Sequence, residues 1–165
     1  MQLWPLFPVL GSSVRHGPRP IPALILSAAA LGALTGATAP SNTSVTVNIT
    51  DLRNTKGVVR ACLTTQVKDF PKCHGVANAQ KVVHDAAATL TIKFDNVAPG
   101  TYAIAVLHDE NNNGKVDRAL LMMPKEGYGF SRDAKVVMGP PKFKAAAFEV
   151  GAEPQTQAIK MRYML

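Results

Sequence analysis

Scarcity sets the first limits on this 165-residue chain: two cysteines, one tryptophan, and an aromatic content of only 6%. Basic residues outnumber acidic ones, 18 to 11, yet they run from Arg15 to Arg162 without forming a block of five. A nucleic-acid binder clusters its charge, so a net +7 spread this thinly does not mark one. Also absent are a P-loop, a G-x-G-x-x-G turn, an H-E-x-x-H helix and a G-x-S-x-G elbow, which leaves nucleotide cofactors, zinc proteolysis and an elbow-type nucleophile without support. An apolar content of 47% is too high for a disordered chain, and the length suits one domain with a short appendage.

The first 40 residues contain no Asp or Glu. Arg15 and Arg19 precede the apolar run Ile21–Leu34, which is shorter than the roughly 20 residues a membrane-spanning helix needs. A basic segment followed by such a run reads as a secretory signal peptide, with an uncleaved anchor helix as the competing reading. Ala37-Thr38-Ala39 and Ala30-Leu31-Gly32 both offer small residues for cleavage. Residues 1–39 are therefore expected to be a leader and 40–165 a single exported domain, periplasmic or extracellular, with no integral span after cleavage. Loss of Arg15 and Arg19 with the leader takes the charge from +7 to +5.

Export changes the meaning of Cys62 and Cys73. A zinc site would need His74 and a further ligand at no recognised spacing, whereas an oxidising compartment favours a disulfide. That bridge would staple the loop Val67–Lys72 and contribute about 3 kcal/mol on the chain-entropy model.

From Ser44 onward the apolar residues alternate. Val45, Val47 and Ile49 form one set, Val59, Ala61 and Leu63 a second, and Leu90, Ile92 and Phe94 a third. This period of two is that of strands with one buried face. Tyr102–Leu107 follows the turn Ala98-Pro99-Gly100, and its added apolar residues predict a central strand covered on both faces. Ala147–Val150 and Ala158–Tyr163 supply two more strands, the last with Ile159, Met161 and Tyr163 inward; Val82-Val83 or Leu120–Met123 supplies a seventh. After Pro40 a helical period is absent, apart from a short turn near Val76–Gln80. The expectation is an all-β antiparallel sandwich of about seven strands.

Two stretches carry a resemblance. Phe94-Asp95-Asn96-Val97-Ala98-Pro99-Gly100-Thr101-Tyr102 resembles the strand-turn-strand signature of transthyretin-like and carboxypeptidase-regulatory-like sandwiches. His108-Asp109-Glu110-Asn111-Asn112-Asn113-Gly114-Lys115-Val116-Asp117, with Pro124–Ser131 and Gly139–Phe143, resembles the secreted bacterial family of domain of unknown function 2141 over roughly residues 44–163. The resemblance implies an immunoglobulin-like (prealbumin-like) sandwich in an exported protein, and Cys62 and Cys73 fit a subset of that family. It implies no reaction.

Asp109, Asn111, Asn113 and Asp117 occupy positions 1, 3, 5 and 9 of a loop with Gly114 at position 6, the spacing that lets alternate oxygens converge on Ca²⁺. Position 12, a bidentate Glu in an EF-hand, is Leu120, so an EF-hand is excluded. Two readings stand: a weak structural calcium site, and an Asn-Gly-rich turn that binds nothing. His108 and Asp109, with Ser131 and Glu126 downstream, can be written as a hydrolase constellation, against the reading in which His108 ends a strand and packs at the loop base. The connection from Pro124 to Phe143 holds Lys125, Tyr128, Phe130 and Arg132, a candidate surface for an envelope protein, a glycan or an anionic polymer; alternatively its aromatics cap the sandwich. The leading expectation is a non-enzymatic binding or structural module, with a hydrolase as the alternative.

Overall fold

Alternation along the chain becomes two facing sheets. The computed structural model describes residues 41–73, 75–119, 123–137 and 139–165; residues 1–40, where the leader is expected, His74, Leu120–Met122 and Met138 lie outside them. Eight strands follow in order: β1 (Thr43–Thr50), β2 (Val58–Thr64), β3 (Gln80–Asp85), β4 (Leu90–Val97), β5 (Gly100–Asp109), β6 (Gly127–Phe130), β7 (Phe148–Val150) and β8 (Gln155–Lys160). The first sheet has the order β4-β1-β8, and the second β3-β2-β5-β6, with β7 pairing the other half of the same β5 edge. A single turn, α1 (Phe143–Ala146), is the α-helix among the described residues, and Ser131–Asp133 form a 3₁₀ turn. No described helix is long and apolar enough to cross a membrane.

Register explains the core. Val45 opposes Phe94, Val47 opposes Ile92 and Ile49 opposes Leu90, so one face of the first sheet is apolar throughout. Ala61 opposes Val106 and Leu63 opposes Ile104 on the facing side of the second sheet. These residues, with Val59, Phe148, Val150, Ile159 and Met161, fill the space between the sheets. Each buried Val, Ile or Phe contributes about 1.5–3 kcal/mol by leaving water.

β5 is covered on both faces, as its weak alternation anticipates. Ile104 and Val106 enter the inter-sheet core, while Ala103 joins Phe130, Ala134, Phe143 and Ala146 in a second cluster on the outer face. The Cys62–Cys73 disulfide is formed, and the loop that it closes brings Phe70 to this cluster. The Phe70 ring stands edge-on to Phe130 and to Phe143, each 5.8 Å away between centroids. Phe143 thus caps the outer face, and the stapled loop helps to close it.

Three features differ from the sequence expectation. Among the described residues there are eight strands rather than about seven: Val82-Val83 lies in β3, the expected seventh, and Gly127–Phe130 adds β6. One pair, β1 with β8, is parallel. The segment after β7 crosses between sheets, so no tight hairpin dictates its direction. β6 was hidden by its glycines, which suggest a loop. They are required by close packing: a Cβ on Gly127 would lie 2.3 Å from the Tyr163 ring, and one on Gly129 2.5 Å from Ile159 Cγ2. Tyr128 and Arg162 exchange backbone hydrogen bonds of 3.0 and 2.9 Å, joining β6 to the segment after β8.

Candidate functional site

Strand alternation sends His108 and Asp109 to opposite faces of β5. His108 faces the inter-sheet side, opposite Gly127, and is fully buried. Its Nε2 lies 2.8 Å from the Lys56 carbonyl and its Nδ1 2.7 Å from the Tyr163 hydroxyl. A carbonyl only accepts, so Nε2 carries the proton and Nδ1 accepts from Tyr163. The Tyr163 oxygen in turn accepts from the Arg53 amide at 3.2 Å. Both imidazole nitrogens are therefore engaged in holding the β1–β2 connection and the segment after β8 to β5.

Asp109 is also fully buried, but on the outer side. Arg60 of β2 is its diagonal neighbour across the β2–β5 ladder. Arg60 Nε donates to Asp109 Oδ2 at 2.6 Å, and Arg60 Nη2 donates to Asn112 Oδ1 at 2.7 Å. The Gly114 and Asn113 amides donate to Asp109 Oδ2 and Oδ1 at 2.8 and 3.0 Å. Burial by itself would favour the neutral acid; Arg60 and the two amides outweigh it and hold the carboxyl below its ordinary range.

The rest of the loop folds around that anchor. Asn112 and Gly114 take positive φ angles of 55° and 76°, which Asn tolerates better than most residues and Gly adopts freely. Asn111 Oδ1 accepts from the Asn113 amide at 3.2 Å, and Asn113 Oδ1 from the Lys115 amide at 2.8 Å. Asn111 and Asn113 donate their side-chain amides to the two oxygens of Asp117 at 2.7 and 3.0 Å. The four residues of the calcium-like spacing are thus one hydrogen-bonded group. Among the described residues no three His, Cys, Asp or Glu side chains are grouped so as to hold a metal ion.

Beside the loop lies an open cleft of about 280 Å³, lined by Arg53, Lys56, Glu110, Asn111, Asp117, Lys125 and Glu126. Arg53 organises one wall: its Nε donates to Glu110 at 2.6 Å, Nη2 to the Lys125 carbonyl at 2.8 Å and Nη1 to the Leu165 carbonyl. The guanidinium lies 4.6 Å from the centre of the Tyr163 ring, a cation–π contact. Burial works against Glu110 ionisation, but the Arg53 and Asn54 hydrogen bonds and the charge of Arg53 lower its pKa. Glu126 forms the floor with 3% exposure. Its Oε2 accepts from the Asp117 amide at 3.0 Å, and Oε1 has no hydrogen-bond partner among the described residues. Burial, with the nearby Asp109 and Asp117 carboxylates, raises the pKa of Glu126 against the pull of the Asp117 and Glu110 amides.

The other candidates are placed apart. Ser131 is fully buried; its Oγ donates to the Ala146 carbonyl at 2.6 Å and accepts from the Ile104 amide at 2.9 Å. It fastens α1 to β5 and has no contact with His108 or Asp109. Lys125 is exposed at the cleft, while Tyr128 is half-buried and Phe130 is buried in the outer cluster. Arg132 is exposed, and its Nη1 donates to the Ala147 carbonyl at 3.2 Å.

Sequence reasoning missed Arg53, Arg60, the place of Glu126 in the cleft and the bond from Tyr163 to His108. Arg60 did leave a signal, a charge at an outward position of an alternating strand. Arg53 sits outside the alternating runs and carries no local signature.

No curated protein and no solved structure matches the chain. A family model described as "Uncharacterized protein conserved in bacteria (DUF2141)" matches residues 47–158. That span runs from β1 into β8, more than half of the chain, and the protein belongs to this family.

Proposed function

We propose that this protein is an exported, non-enzymatic β-sandwich, a binding or structural module of the cell envelope whose working surface is the Asp109–Asp117 loop and the adjoining cleft. One observation carries the reading: the groups that could do chemistry at this end of the sandwich are committed to structure. His108 is bonded at both nitrogens, Asp109 accepts three hydrogen bonds, from Arg60 and two amides, with one acceptor site on Oδ1 left over, and Ser131 bridges α1 to β5 on a different part of the sheet. A hydrolase needs a nucleophile, a base and an orienting acid within hydrogen-bond reach of each other. What remains open to solvent is a polar cleft with both signs of charge, suited to holding a ligand or an envelope partner. The signal-like leader and the disulfide support export, since such bridges persist in oxidising compartments.

Calcium belongs to the same proposal as a structural ion of the loop. Asp109, Asn111, Asn113 and Asp117 would supply oxygen ligands, two of them charged, which puts the dissociation constant at about 10⁻⁴ to 10⁻³ M. Rotation of the Asn111 and Asn113 amides would turn their oxygens toward the ion.

The test is a turnover screen with ester, peptide and glycoside substrates on the protein and its Ser131→Ala and His108→Ala variants. No turnover is expected from any of them. Turnover lost in either variant would establish the hydrolase instead.

A further inference from the structure

We propose that the outer face of the five-stranded sheet docks on an anionic phospholipid surface. Three separate segments of chain compose it, none of them lining the cleft, while the loop anchor Asp109 lies on the same side of the sheet.

The first two segments are tied together by the outer aromatic cluster. Phe70, Phe143 and Val136 all pack there, and their sequence neighbours are exposed: Lys68 and Lys72 beside Phe70, Lys142 and Lys144 beside Phe143, and Lys135 and Val137 beside Val136. Consecutive Cα atoms are 3.8 Å apart, so these side chains ring the cluster that anchors them. Strand register adds the third segment. Lys81 opposes Cys62 and Val83 opposes Arg60 in the β2–β3 ladder, and residues directly opposite share a face. Cys62 and Arg60 alternate with the core residues Ala61 and Leu63, so Lys81 and Val83 lie on the outer face.

Six lysines thus converge on one face: Lys68, Lys72, Lys81, Lys135, Lys142 and Lys144. None takes part in an ion pair among the described residues. The exposed acids on this face are Asp69, Asp85 and Glu149, the last at the far end of β5 and hydrogen-bonded to Thr101 at 2.7 Å; Asp109 is paired with Arg60, and Asp133 with Arg162. A soluble polyanion would be served by charge alone. Here the charge is interleaved with three bare apolar side chains: Val67 at 64% exposure, Val83 at 50% and Val137 at 76%. Lysines paired with exposed apolar groups suit the interface of an anionic bilayer, where the ammonium groups meet phosphates and the valines reach the acyl boundary. The opposite sheet has no such combination among its exposed strand residues: Lys93 is paired with Asp95 at 2.6 Å.

The experiment is co-sedimentation of the full chain with phosphatidylglycerol–phosphatidylcholine vesicles and with phosphatidylcholine vesicles alone. The variants are K142E/K144E, V67D/V137D, and K93E/K160E on the opposite sheet, each checked for folding by circular dichroism. Each lysine at an anionic surface is worth about fivefold in binding, so K142E/K144E should weaken binding to the anionic vesicles by about 25-fold or more. V67D/V137D should weaken it by at least about tenfold, and K93E/K160E should stay within about twofold of the parent. The leader, common to all forms, supplies only a constant background. Equal binding to neutral and anionic vesicles would overturn the proposal, and so would equal losses in the two lysine variants. Retention of vesicle binding by V67D/V137D would overturn it in favour of a soluble polyanion.

Discussion

Arg60 Nε lies 2.6 Å from an oxygen of fully buried Asp109, and this pair joins β2 to the first residue of the loop. The same guanidinium reaches Asn112, so one side chain fixes both the anchor and the crest of the loop. Removing one partner of a buried pair leaves an uncompensated charge. Arg60→Ala is expected to cost about 3 kcal/mol in chemical denaturation. A double-mutant cycle with Asp109→Ala should give a coupling of at least about 1 kcal/mol. Additive losses would mean that the pair contributes nothing specific.

Tyr163 is held from two sides, by the hydrogen bond to His108 and by close packing on Gly127. Tyr163→Phe should destabilise by about 1–2 kcal/mol, because His108 Nδ1 loses its donor in a buried site. Gly127→Ala should cost about 1–3 kcal/mol by pushing the ring away. Thermal melts of the two variants and the parent check both values; an unchanged Gly127→Ala melt would show that β6 has room that the packing denies.

The disulfide and Phe70 act together on the outer cluster. Reduction of Cys62–Cys73 should lower stability by about 3 kcal/mol through the freed loop. Phe70→Ala should cost about 2–3 kcal/mol with the bridge intact, because Phe130 and Phe143 lose their edge-on partner. Urea denaturation with and without reductant measures both. If reduction removes most of the effect of Phe70→Ala, the staple serves to present Phe70.

Acid titration separates two kinds of carboxylate. Asp109, Glu110 and Asp133 have pKa values lowered in the folded state. Their stabilisation is present above their unfolded values and is lost as pH falls through the folded ones. Glu126 is raised, so the folded chain binds its proton more readily than the unfolded chain. Its contribution is favourable below the unfolded value and is lost as pH rises through the folded one. Glu126→Gln is therefore expected to gain up to about 1 kcal/mol at pH 7, from relief of a buried charge with one unpartnered oxygen. That gain should disappear below about pH 4, where Glu126 is protonated in both states. Melts of parent and variant from pH 3 to 8 read the difference directly; a gain constant with pH would assign it to packing.

Much of the sandwich was legible because burial imposes a period of two, which β1, β2 and β4 carry plainly, while the apolar residues on both faces of β5 marked a central strand. Cys62 and Cys73 announced their bridge through the inferred compartment. The β1–β8 direction was not legible, since parallel and antiparallel neighbours bury the same apolar residues. Nor was β6: its glycines answer to Tyr163 and Ile159, which are distant in sequence. The loop spacing from Asp109 to Asp117 was visible as a turn that wraps its own oxygens. Its dependence on Arg60 was not, because a diagonal cross-strand pair leaves no mark on the local pattern. Phe130 and Ser131 looked available in sequence only because the cluster that buries them is assembled from three separate segments.

The central claim is that the Asp109–Asp117 loop is the working surface and is stiffened by a weakly held calcium. A ¹H–¹⁵N NMR titration of the protein with calcium up to about 10 mM tests it most directly. Saturable shifts confined to Asp109–Asp117 and Glu126 are expected, with a midpoint of about 0.1–1 mM, abolished by Asp117→Asn. An unmoved spectrum, or shifts centred elsewhere on the sandwich, would contradict it.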